Sequence, residues 1–420
     1  MGPGAVSSGG ATFVLGNEAA DADSIISSLT YAYLKKWQLD ETPRRSDHDN
    51  LKNPIIPITS IKRSEIHLRR DVQLLLIEVG MELSDLICVD ECNIEKISLE
   101  KRLDLILVDH NKLSNSITSL LCTNEDHCLL VKEIIDHHED SGAYPAVAVR
   151  EVEFDMMTKK PEVGSTCTIV AEKYLQDENI GALNIDIATL LIAVIAVDTL
   201  NMDPVKKRGT VRDQAALDSL QLHFPDVQRD RLFSLLMNAK TDPLFWESLS
   251  AKDTLLLDCK EFQFERNNKY PTDQPYFSFS VPSVLQSAKS FLNKSDLDDE
   301  LVSYFYPNSD CSSLQSPDSF LYNGKPEKIN AIMVVMTLTF QPEIKRSLIF
   351  FSNNKERIKS ISSYLSDEKL NVQLSPFDPI ENICVRVPDD RGDIYMACYH
   401  QGNIEMSRKQ IAPLISNFNI

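Results

Sequence analysis

Four clusters of acidic, histidine and amide side chains stand beside short apolar runs of this sequence. Carboxylates accompanied by one or two imidazoles favour hard or borderline cations such as Mg²⁺, Mn²⁺ or Co²⁺, and no cysteine accompanies them as in structural zinc sites. In an open α/β sheet such side chains project from the carboxyl ends of strands, so separate clusters can converge on one metal site. The four clusters are Asn17-x-x-x-Asp21-x-Asp23, Asp109-His110-Asn111, Asp136-His137-His138 and Asp198-Thr199.

The first two clusters each have a simpler structural interpretation. Asp21 and Asp23 lie where an apolar strand turns into a helix, and two like charges that close stay ionised only beside a cation. Alternatively, Asp23 caps the helix and Asp21 favours the turn. Asp109 directly follows an apolar run and could likewise be an ordinary turn residue.

The last two clusters are harder to explain as turns. His137 and His138 follow Asp136, which suits metal ligation together with protonation of a substrate, although a solvated loop could also hold them. Asp198 ends the most apolar stretch of the chain, where a carboxylate is costly to bury unless it is paired or metal-bound. We therefore expect a carboxylate-rich site that binds two divalent ions and activates water for attack on phosphorus.

The first half of the chain alternates apolar runs that predict strands with segments of helical spacing. The continuous run 105–108 indicates a strand buried on both faces, as in a parallel sheet. We expect a doubly wound, mainly parallel α/β domain over residues 12–220, preceded by a flexible segment, residues 1–11. The predicted strands are Thr12–Gly16, Pro54–Ile58, Leu86–Asp90, Leu103–Asp109, Val131–Asp136 and Ala146–Val152, and the predicted helices are Ser24–Trp37, Arg69–Val79, Gly164–Leu175 and Ala188–Val197.

The second half has longer, alternating strands and predicts a separate domain. A helix-rich segment, residues 221–240, connects it to the first, and residues 241–420 are expected to form a smaller α/β or α+β domain. The polar stretch Pro307–Pro326 is expected to be a loop within it. The predicted strands are Thr254–Phe264, Tyr276–Val281, Asn330–Phe340, Ser347–Ser352 and Asn382–Val387, and the predicted helices are Ser283–Leu292 and Glu356–Leu365.

The composition disfavours several classes of partner. The 420 residues carry a net charge of -19, which argues against broad electrostatic binding of nucleic acid or an anionic membrane. The longest uncharged apolar stretch is about half as long as a bilayer span, and the N-terminus lacks the basic region of a secretory signal. Nine scattered cysteines fit a reducing compartment, so we expect a cytoplasmic protein, either a monomer or a dimer.

The order of the four clusters, together with Ser407-Arg408-Lys409-Gln410 near the end, resembles the DHH phosphoesterases. The resemblance spans essentially the whole chain and is to the branch that contains second-family inorganic pyrophosphatases, exopolyphosphatases and prune proteins. It implies an active site in a cleft between the two domains. The metal ligands that it implies are Asp21, Asp23, Asp109, His137 and Asp198, with Asp109 as a bridge between ions and a weak ligand at most in Asn17.

The same resemblance also implies which residues contact phosphate. His138 would contact the substrate and act as an acid. Gly164-Ser165-Thr166 resembles a motif that opens a helix whose backbone amides can bind an anion. The further contacts that it implies are Arg408 and Lys409 of the second domain, Ser165, and one or more of Lys206, Lys207 and Arg208, of which we favour Lys206 and Arg208.

Asn17 separates the subfamilies within this resemblance. The pyrophosphatases have histidine at that position, whereas the exopolyphosphatase and prune branch has asparagine. A neutral oxygen in place of a nitrogen shifts preference from Mn²⁺ or Co²⁺ toward Mg²⁺. Gly16-Asn17-Glu18 and Leu68-Arg69-Arg70-Asp71 both resemble the eukaryotic exopolyphosphatases.

The expected activity is therefore release of orthophosphate from linear polyphosphate. Alternatives are a prune-like hydrolase of short polyphosphates, nucleoside tetraphosphates or cyclic nucleotides, and an inorganic pyrophosphatase. A RecJ-like nuclease is less consistent with the sequence, since the glycine-rich histidine motif of that branch is not visible. A signalling scaffold that retains only the fold is the alternative outside enzymes, and the complete acidic set argues against it.

Overall fold

A computed structural model of the chain divides into two units, Met1–Lys240 and Thr241–Ile420. The residues that the structure describes are 11–41, 53–92, 102–114, 117–118, 121, 128–265, 276–306, 332–340, 343–377, 383–390 and 392–418. Of the segment predicted to be flexible, residues 1–10 lie outside the described residues, and so does the predicted loop Pro307–Pro326.

The first unit contains a parallel sheet of five strands in the order β2-β1-β3-β4-β5. Alternate residues of β1 pack on opposite faces: Val14 joins one apolar cluster, whereas Phe13 and Leu15 join another. Both faces of the sheet are thus buried, which explains the unbroken apolar runs of its strands. The strands are β1 (Ala11–Leu15), β2 (Ile55–Ile58), β3 (Arg102–Val108), β4 (Cys128–Asp136) and β5 (Val149–Val152).

Helices of the first unit cover this sheet and confirm the predicted α/β class. The most apolar of them ends at Asp198 and is buried along most of its length, so the fourth cluster follows a helix and not a strand. A two-stranded hairpin, β6 (Phe154–Asp155) and β7 (Lys160–Pro161), follows β5. The helices are α1 (Ala22–Glu41), α2 (Arg70–Glu78), α3 (Thr166–Tyr174), α4 (Ile185–Asp198), α5 (Val211–His223) and α6 (Arg229–Thr241).

The strand predicted at Leu86–Asp90 is wrong. Residues Val89–Glu91 form a 3₁₀ turn, and the only β-type pairing of this segment among the described residues is one isolated bridge between Thr59 and Cys88. The Glu91 carboxylate accepts from the Cys88 amide at 2.8 Å. That hydrogen bond closes the turn and removes the amide from any sheet ladder.

The second unit is built on a mixed sheet in the order β12-β14-β11-β10-β9-β8, with β13 also paired to β14. Its β9 and β10 are parallel, and the other pairs are antiparallel. Phe279, Val334 and Phe350 belong to its buried core. The strands are β8 (Cys259–Glu265), β9 (Tyr276–Val284), β10 (Ile332–Thr339), β11 (Lys345–Ser352), β12 (Leu374–Pro376), β13 (Cys384–Val387) and β14 (Ile394–Gln401).

In two predicted elements of the second unit, the first residues belong to a different type of secondary structure than predicted. The first residues of the predicted strand Thr254–Phe264 are helical, because Ser250 caps a helix by accepting from the Asp253 amide at 2.9 Å. The predicted helix Ser283–Leu292 starts later, after β9 and the cap residue Ser287. The helices are α7 (Pro243–Ser248), α8 (Ala251–Leu256), α9 (Ala288–Leu292), α10 (Leu297–Phe305), α11 (Lys355–Leu365) and α12 (Arg408–Ser416). Within the described residues, no helix has the length and apolar character needed to cross a bilayer.

Candidate metal centre

Asp109 lies at the centre of the predicted site, one residue beyond the end of β3. Its backbone is in the left-handed region, with φ of 61°, and its side chain is 1% exposed. One carboxylate oxygen, Oδ2, accepts from Nδ2 of Asn17 and from Oγ of Ser24, each at 2.7 Å. The other oxygen, Oδ1, lies 3.4 Å from Nε2 of His137 and 3.6 Å from Nδ1 of His138. Asp109 therefore joins three of the predicted clusters.

His137 has the orientation of a metal-ligating histidine. Its Nδ1 lies 3.1 Å from the carbonyl oxygen of Val163, which can only accept, so Nδ1 carries a proton. Such a bond to the distal nitrogen fixes the ring and its tautomer in metal sites. Its Nε2 faces Asp109 and lies 3.8 Å from Oδ2 of Asp23.

Asp23 is held at the amino terminus of α3. Its Oδ1 accepts from the Ser165 hydroxyl at 2.7 Å and from the Cys167 amide at 2.8 Å. Its Oδ2 accepts from the Thr166 amide at 2.7 Å. Gly164-Ser165-Thr166 thus opens a helix, but the amides expected to bind a substrate anion are bound to this carboxylate, and Ser165 is fully buried.

The electrostatics of these buried groups are mutually dependent. Burial, with repulsion from Asp109 second, raises the pKa of Asp23 to about 6. Burial by itself would raise the pKa of Asp109, but the hydrogen bond from His137 and the charges of His138 and His137 together outweigh it and lower that pKa. Burial would lower the pKa of His137, whereas the hydrogen bond to Asp109 and the charges of Asp109 and Asp23 together raise it to about 10. Without a cation, His137 is therefore protonated.

Asp198 carries a buried carboxylate oxygen that lacks a hydrogen bond. Its Oδ2 has no hydrogen-bond partner among the described residues. Burial raises the pKa of Asp198 well above its usual range, and repulsion from Asp23 and then Asp21 raises it further. An ionised oxygen left in this way is costly unless a cation reaches it.

Asp21 is exposed and lies at the start of α1. Its Oδ1 accepts from the Ser24 amide at 3.1 Å, so Asp21 makes the helix-start contact that the simpler interpretation gave to Asp23. Its charge still raises the pKa of both Asp23 and Asp198, which places it beside the site.

This donor set fits divalent metal ions. Asp109, His137 and His138 each offer a ligand atom, and these atoms lie within 4.8 Å of one another. Asp23 adds an oxygen beside His137, and Asp198 supplies the unbonded buried oxygen. Carboxylate oxygens with imidazole nitrogen suit Mg²⁺, Mn²⁺ or Co²⁺. The ligand roles of individual residues remain predictions.

The structure directs the Asn17 side chain away from ligation. Its Oδ1 accepts from the amides of Ala19 at 2.8 Å and Ala20 at 3.2 Å, while its Nδ2 donates to Asp109. The oxygen, which is the only group that a hard cation would bind, is therefore engaged by the turn.

His138 is oriented by Asp136, for which the sequence predicted no role of its own. Its Nδ1 lies 2.8 Å from Oδ1 of Asp136, which is fully buried. The other oxygen of Asp136 accepts from Nδ2 of Asn111 at 2.6 Å. Asn111 also accepts from the Ser141 amide at 2.9 Å, so its side chain ties the loop after β3 to the loop after β4. The Asp-His-Asn and Asp-His-His triplets of the sequence marked these residues as candidates for the site. They did not indicate which side chain orients which.

Two further supporting residues were not predicted. Buried Asp213, at the start of α5, accepts from the amide of Gly164 with both oxygens at 2.9 Å and from the Thr168 hydroxyl at 2.6 Å. A Cβ on Gly164 would lie 2.8 Å from the Thr199 methyl group, so only glycine fits between α3 and the end of α4. Arg69, also buried, donates to the Ala20 carbonyl at 2.8 Å and so holds the turn that carries Asn17.

The basic residues Lys206, Lys207 and Arg208 of the first unit follow α4. Lys206 and Arg208 are exposed, as is Lys207 between them. They follow a turn after α4, residues 200–202, in which all three residues have φ of 51–62°, a costly backbone conformation for residues other than glycine. Arg229 holds that turn by donating to the Asn201 carbonyl at 2.9 Å. Their contacts with phosphate remain predictions.

The other predicted phosphate contacts lie in the second unit, at the start of α12. Lys409 is exposed there. The Arg408 guanidinium binds Asp258 of its own unit, with Nη2 2.6 Å from Oδ1. Their roles toward substrate also remain predictions.

Comparison with known proteins finds a family match for each half of the chain. Residues 11–195 match the DHH family, N-terminal domain, and residues 235–418 match the DHHA2 domain. Exopolyphosphatase PRUNE1 of Mus musculus is 28% identical over 409 residues, which cover 96% of this chain and 74% of that protein. The manganese-dependent inorganic pyrophosphatase of Methanothrix thermoacetophila is 25% identical over 260 residues, covering 60% of this chain and 66% of that protein.

A solved structure has a similar fold along the chain. The crystal structure of a candidate family II inorganic pyrophosphatase from Methanococcus jannaschii aligns with a TM-score of 0.53 and 18% sequence identity. The alignment covers 96% of this chain and 98% of that one. At this identity the likeness concerns the fold alone.

Proposed function

Since the chain belongs to the DHH phosphoesterase superfamily, we propose that it is a metal-dependent exopolyphosphatase that releases orthophosphate from the ends of linear polyphosphate. The observation that carries the proposal is the meeting of Asp23, His137 and Asp109 at distances of 3.4–3.8 Å. A buried cluster of this kind would suit a phosphoanhydride substrate, whose reaction requires electrostatic stabilisation more than a covalent nucleophile.

The metal-binding residues in this proposal are four carboxylates and one imidazole. Asp109, whose Oδ1 faces both His137 and His138, would bridge two ions. Bound divalent ions would supply Lewis-acid stabilisation of phosphoryl charge and a more acidic water molecule. The proposed ligands are Asp21, Asp23, Asp109, His137 and Asp198.

His138 is the proposed acid. Because Asp136 engages its Nδ1, the ring presents Nε2 as the atom that can hold or transfer a proton. The side chain is 34% exposed, against 11% for His137, so it is the imidazole that a substrate can reach. We assign it protonation of the leaving phosphate oxygen.

Exposed cations are proposed to bind the phosphate chain. Three of them are exposed, which suits residues that must release product: Lys206, Arg208 and Lys409. Arg408 is assigned the same role with a fixed guanidinium. Ser165 would act on Asp23 and not on substrate, because its hydroxyl donates to that carboxylate.

Asn17 supports polyphosphate over pyrophosphate as the substrate. With its oxygen bound to backbone amides, the first metal position has one ligand fewer than in the histidine version. We infer a weaker first metal and a preference for Mg²⁺ over Mn²⁺ or Co²⁺. Pyrophosphate hydrolysis is the second candidate, because one relative is named a manganese-dependent inorganic pyrophosphatase.

Phosphate release from defined substrates tests the proposal. The full chain is incubated with pyrophosphate, tripolyphosphate, long polyphosphate or cyclic AMP, each with Mg²⁺, Mn²⁺ or Co²⁺. We expect release from polyphosphates with Mg²⁺ and little from pyrophosphate. Faster turnover of pyrophosphate would favour the second candidate, turnover of cyclic AMP alone would favour a phosphodiesterase, and undiminished activity of Asp109→Asn would contradict the metal assignment.

A further inference from the structure

The Arg408 guanidinium is fixed by three hydrogen bonds within the second unit. Its Nη1 donates to the Asp258 carbonyl at 2.7 Å and to the Val281 carbonyl at 3.1 Å. Its Nη2 donates to Oδ1 of Asp258 at 2.6 Å. Asp258 lies between α8 and β8, and its carbonyl also accepts from the Ser283 amide at 2.8 Å, so this acceptor is itself anchored to the sheet.

Two N–H donors of Arg408 remain without a partner among the described residues. A guanidinium has five N–H groups, and the three bonds use both groups of Nη1 and one of Nη2. The remaining two are on Nε and Nη2, the two nitrogens that share one edge of the planar group. Two parallel donors on such an edge match two oxygens of a phosphate.

We propose that Asp258 is a positioning residue that presents the Nε edge of Arg408 to a phosphoryl group of the substrate. The inference rests on the proposed function and adds a residue to it. Holding the guanidinium in place before binding removes part of the entropy cost of ordering a long side chain. Arg408 would then give geometric selection of phosphate, while exposed Lys409 gives charge.

A purely structural role for the pair makes a different prediction. Asp258 would then only attach the start of α12 to β8 and β9, and its loss would lower thermal stability without changing substrate binding. The negative charge of Asp258 makes a third outcome measurable: if it merely opposes an anionic substrate, its removal would tighten binding. The direction of the change in KM therefore separates the three cases.

The second unit offers a matched control pair. Arg386 donates from Nε to Oδ1 of Asp298 at 2.6 Å and from Nη2 to the Leu292 carbonyl at 3.1 Å. This pair has the same chemistry and lies outside the residues proposed to bind substrate. Asp298→Ala thus reports the cost of losing an arginine-carboxylate contact in this unit.

Steady-state kinetics with tripolyphosphate and saturating Mg²⁺, together with thermal unfolding, test the proposal in the full chain. Loss of the charge-assisted bond in Asp258→Ala is expected to raise KM roughly tenfold with kcat within about twofold. Asp258→Asn, which keeps an acceptor oxygen, should recover part of the loss and serves if the alanine variant does not fold. Asp298→Ala should leave KM unchanged.

A double variant and a binding measurement complete the test. If Asp258 acts through Arg408, then Asp258→Ala should add little to the KM of Arg408→Lys. Unchanged or lowered KM in Asp258→Ala, or additive effects, would overturn the inference. If the wild type hydrolyses no phosphoanhydride, the proposed function fails, and calorimetric titration with tripolyphosphate decides the inference: weaker binding by Asp258→Ala supports it, and equal or absent binding overturns it.

Discussion

The side-chain nitrogen Nδ2 of Asn17 donates a 2.7 Å hydrogen bond to the carboxylate of Asp109, across 92 residues of sequence. Asn17, which the sequence offered as a weak metal ligand, is thereby a hydrogen-bond donor to Asp109, the central proposed ligand. The contact occupies one lone pair of Oδ2, which also accepts from Ser24. The electron density that Asp109 can offer to a cation on that side is reduced accordingly.

Replacing Asn17 with histidine is expected to strengthen the first metal position. An imidazole adds a nitrogen ligand and removes the amide that competes for Asp109, so affinity for Mn²⁺ or Co²⁺ should rise about tenfold or more. The ratio of pyrophosphate to tripolyphosphate turnover should rise with it. Metal titration and phosphate release measure the two effects, and Asn17→Ala is the control that removes the amide without adding a ligand. An unchanged ratio in both variants would contradict the role given to Asn17.

Metal binding is expected to release protons near neutral pH. His137 has a pKa of about 10 in the metal-free protein and is therefore protonated at about pH 7, whereas a metal ligand must be neutral. Because metal and proton compete, the apparent metal affinity should increase as pH rises toward about 10. Calorimetry in two buffers of different ionisation enthalpy counts the protons released.

His137→Gln is the control for that measurement. It keeps a polar side chain but has no proton to lose, so the number of protons released should fall by about one. An identical count in wild type and variant would show that the released proton comes from another group.

Asp198→Asn is expected to stabilise the metal-free protein and to abolish turnover. The pKa of Asp198 is raised in the folded state, so the folded chain holds that proton more tightly than the unfolded chain does. The stability from this proton is complete below the unfolded value of about 3.9 and is lost as pH rises through the raised value. The gap in melting temperature between variant and wild type should therefore widen from about pH 5 to about pH 8.

Thermal unfolding after treatment with a chelator measures this gap. The exposed variant Asp218→Asn controls for loss of a carboxylate outside the site. Saturating Mg²⁺ should stabilise the wild type and not Asp198→Asn, since the ion replaces the missing partner of Oδ2. A gap that stays constant with pH would contradict the assignment.

Asp136→Asn is expected to lower kcat by roughly 10–100-fold while leaving the fold intact. The amide keeps the size of the side chain but no longer fixes the His138 ring as a carboxylate does. Asn111→Ala should lower kcat in the same direction but less, because it acts on His138 only through Asp136. Initial rates at saturating substrate measure both variants, and Asp155→Asn on the β6–β7 hairpin is the matched control. Equal rates in wild type and Asp136→Asn would remove Asp136 from the site.

The sequence predicted best the elements that are buried on both faces. The apolar run before Asp109 forms β3, and the run before Asp136 forms β4, because a parallel strand between helices has no polar face to break the pattern. The helix that ends at Asp198 was predictable for the same reason. The prediction of a strand at Leu86–Asp90 was wrong because the Glu91 carboxylate, three residues after Cys88, closes a turn. Residue composition does not distinguish such a turn from a strand.

The site was predictable in its residue types but not in its connections. The motifs identify Asp23 and Ser165, yet their hydrogen bond joins residues 142 positions apart and depends on how α3 packs against α1. Asp213 belongs to a capping box with Thr210, but that local motif does not predict its bonds to Gly164 and Thr168. Asp258 accepts hydrogen bonds from Arg408 at a position that only the folded chain defines. Long-range polar contacts of this kind have no periodic signal in a single sequence.

The use of the α3 amides by Asp23 has a kinetic consequence. In many α/β proteins the free amides at the start of a helix bind the phosphate. Here the Asp23 carboxylate already accepts hydrogen bonds from two of these amides, those of Thr166 and Cys167. A polyphosphate that arrives before any cation would meet Asp23, Asp109 and Asp198, and the Thr166 and Cys167 amides at that helix start are not available to offset their charge. We therefore expect an ordered encounter, in which the ions enter first and the anionic chain follows.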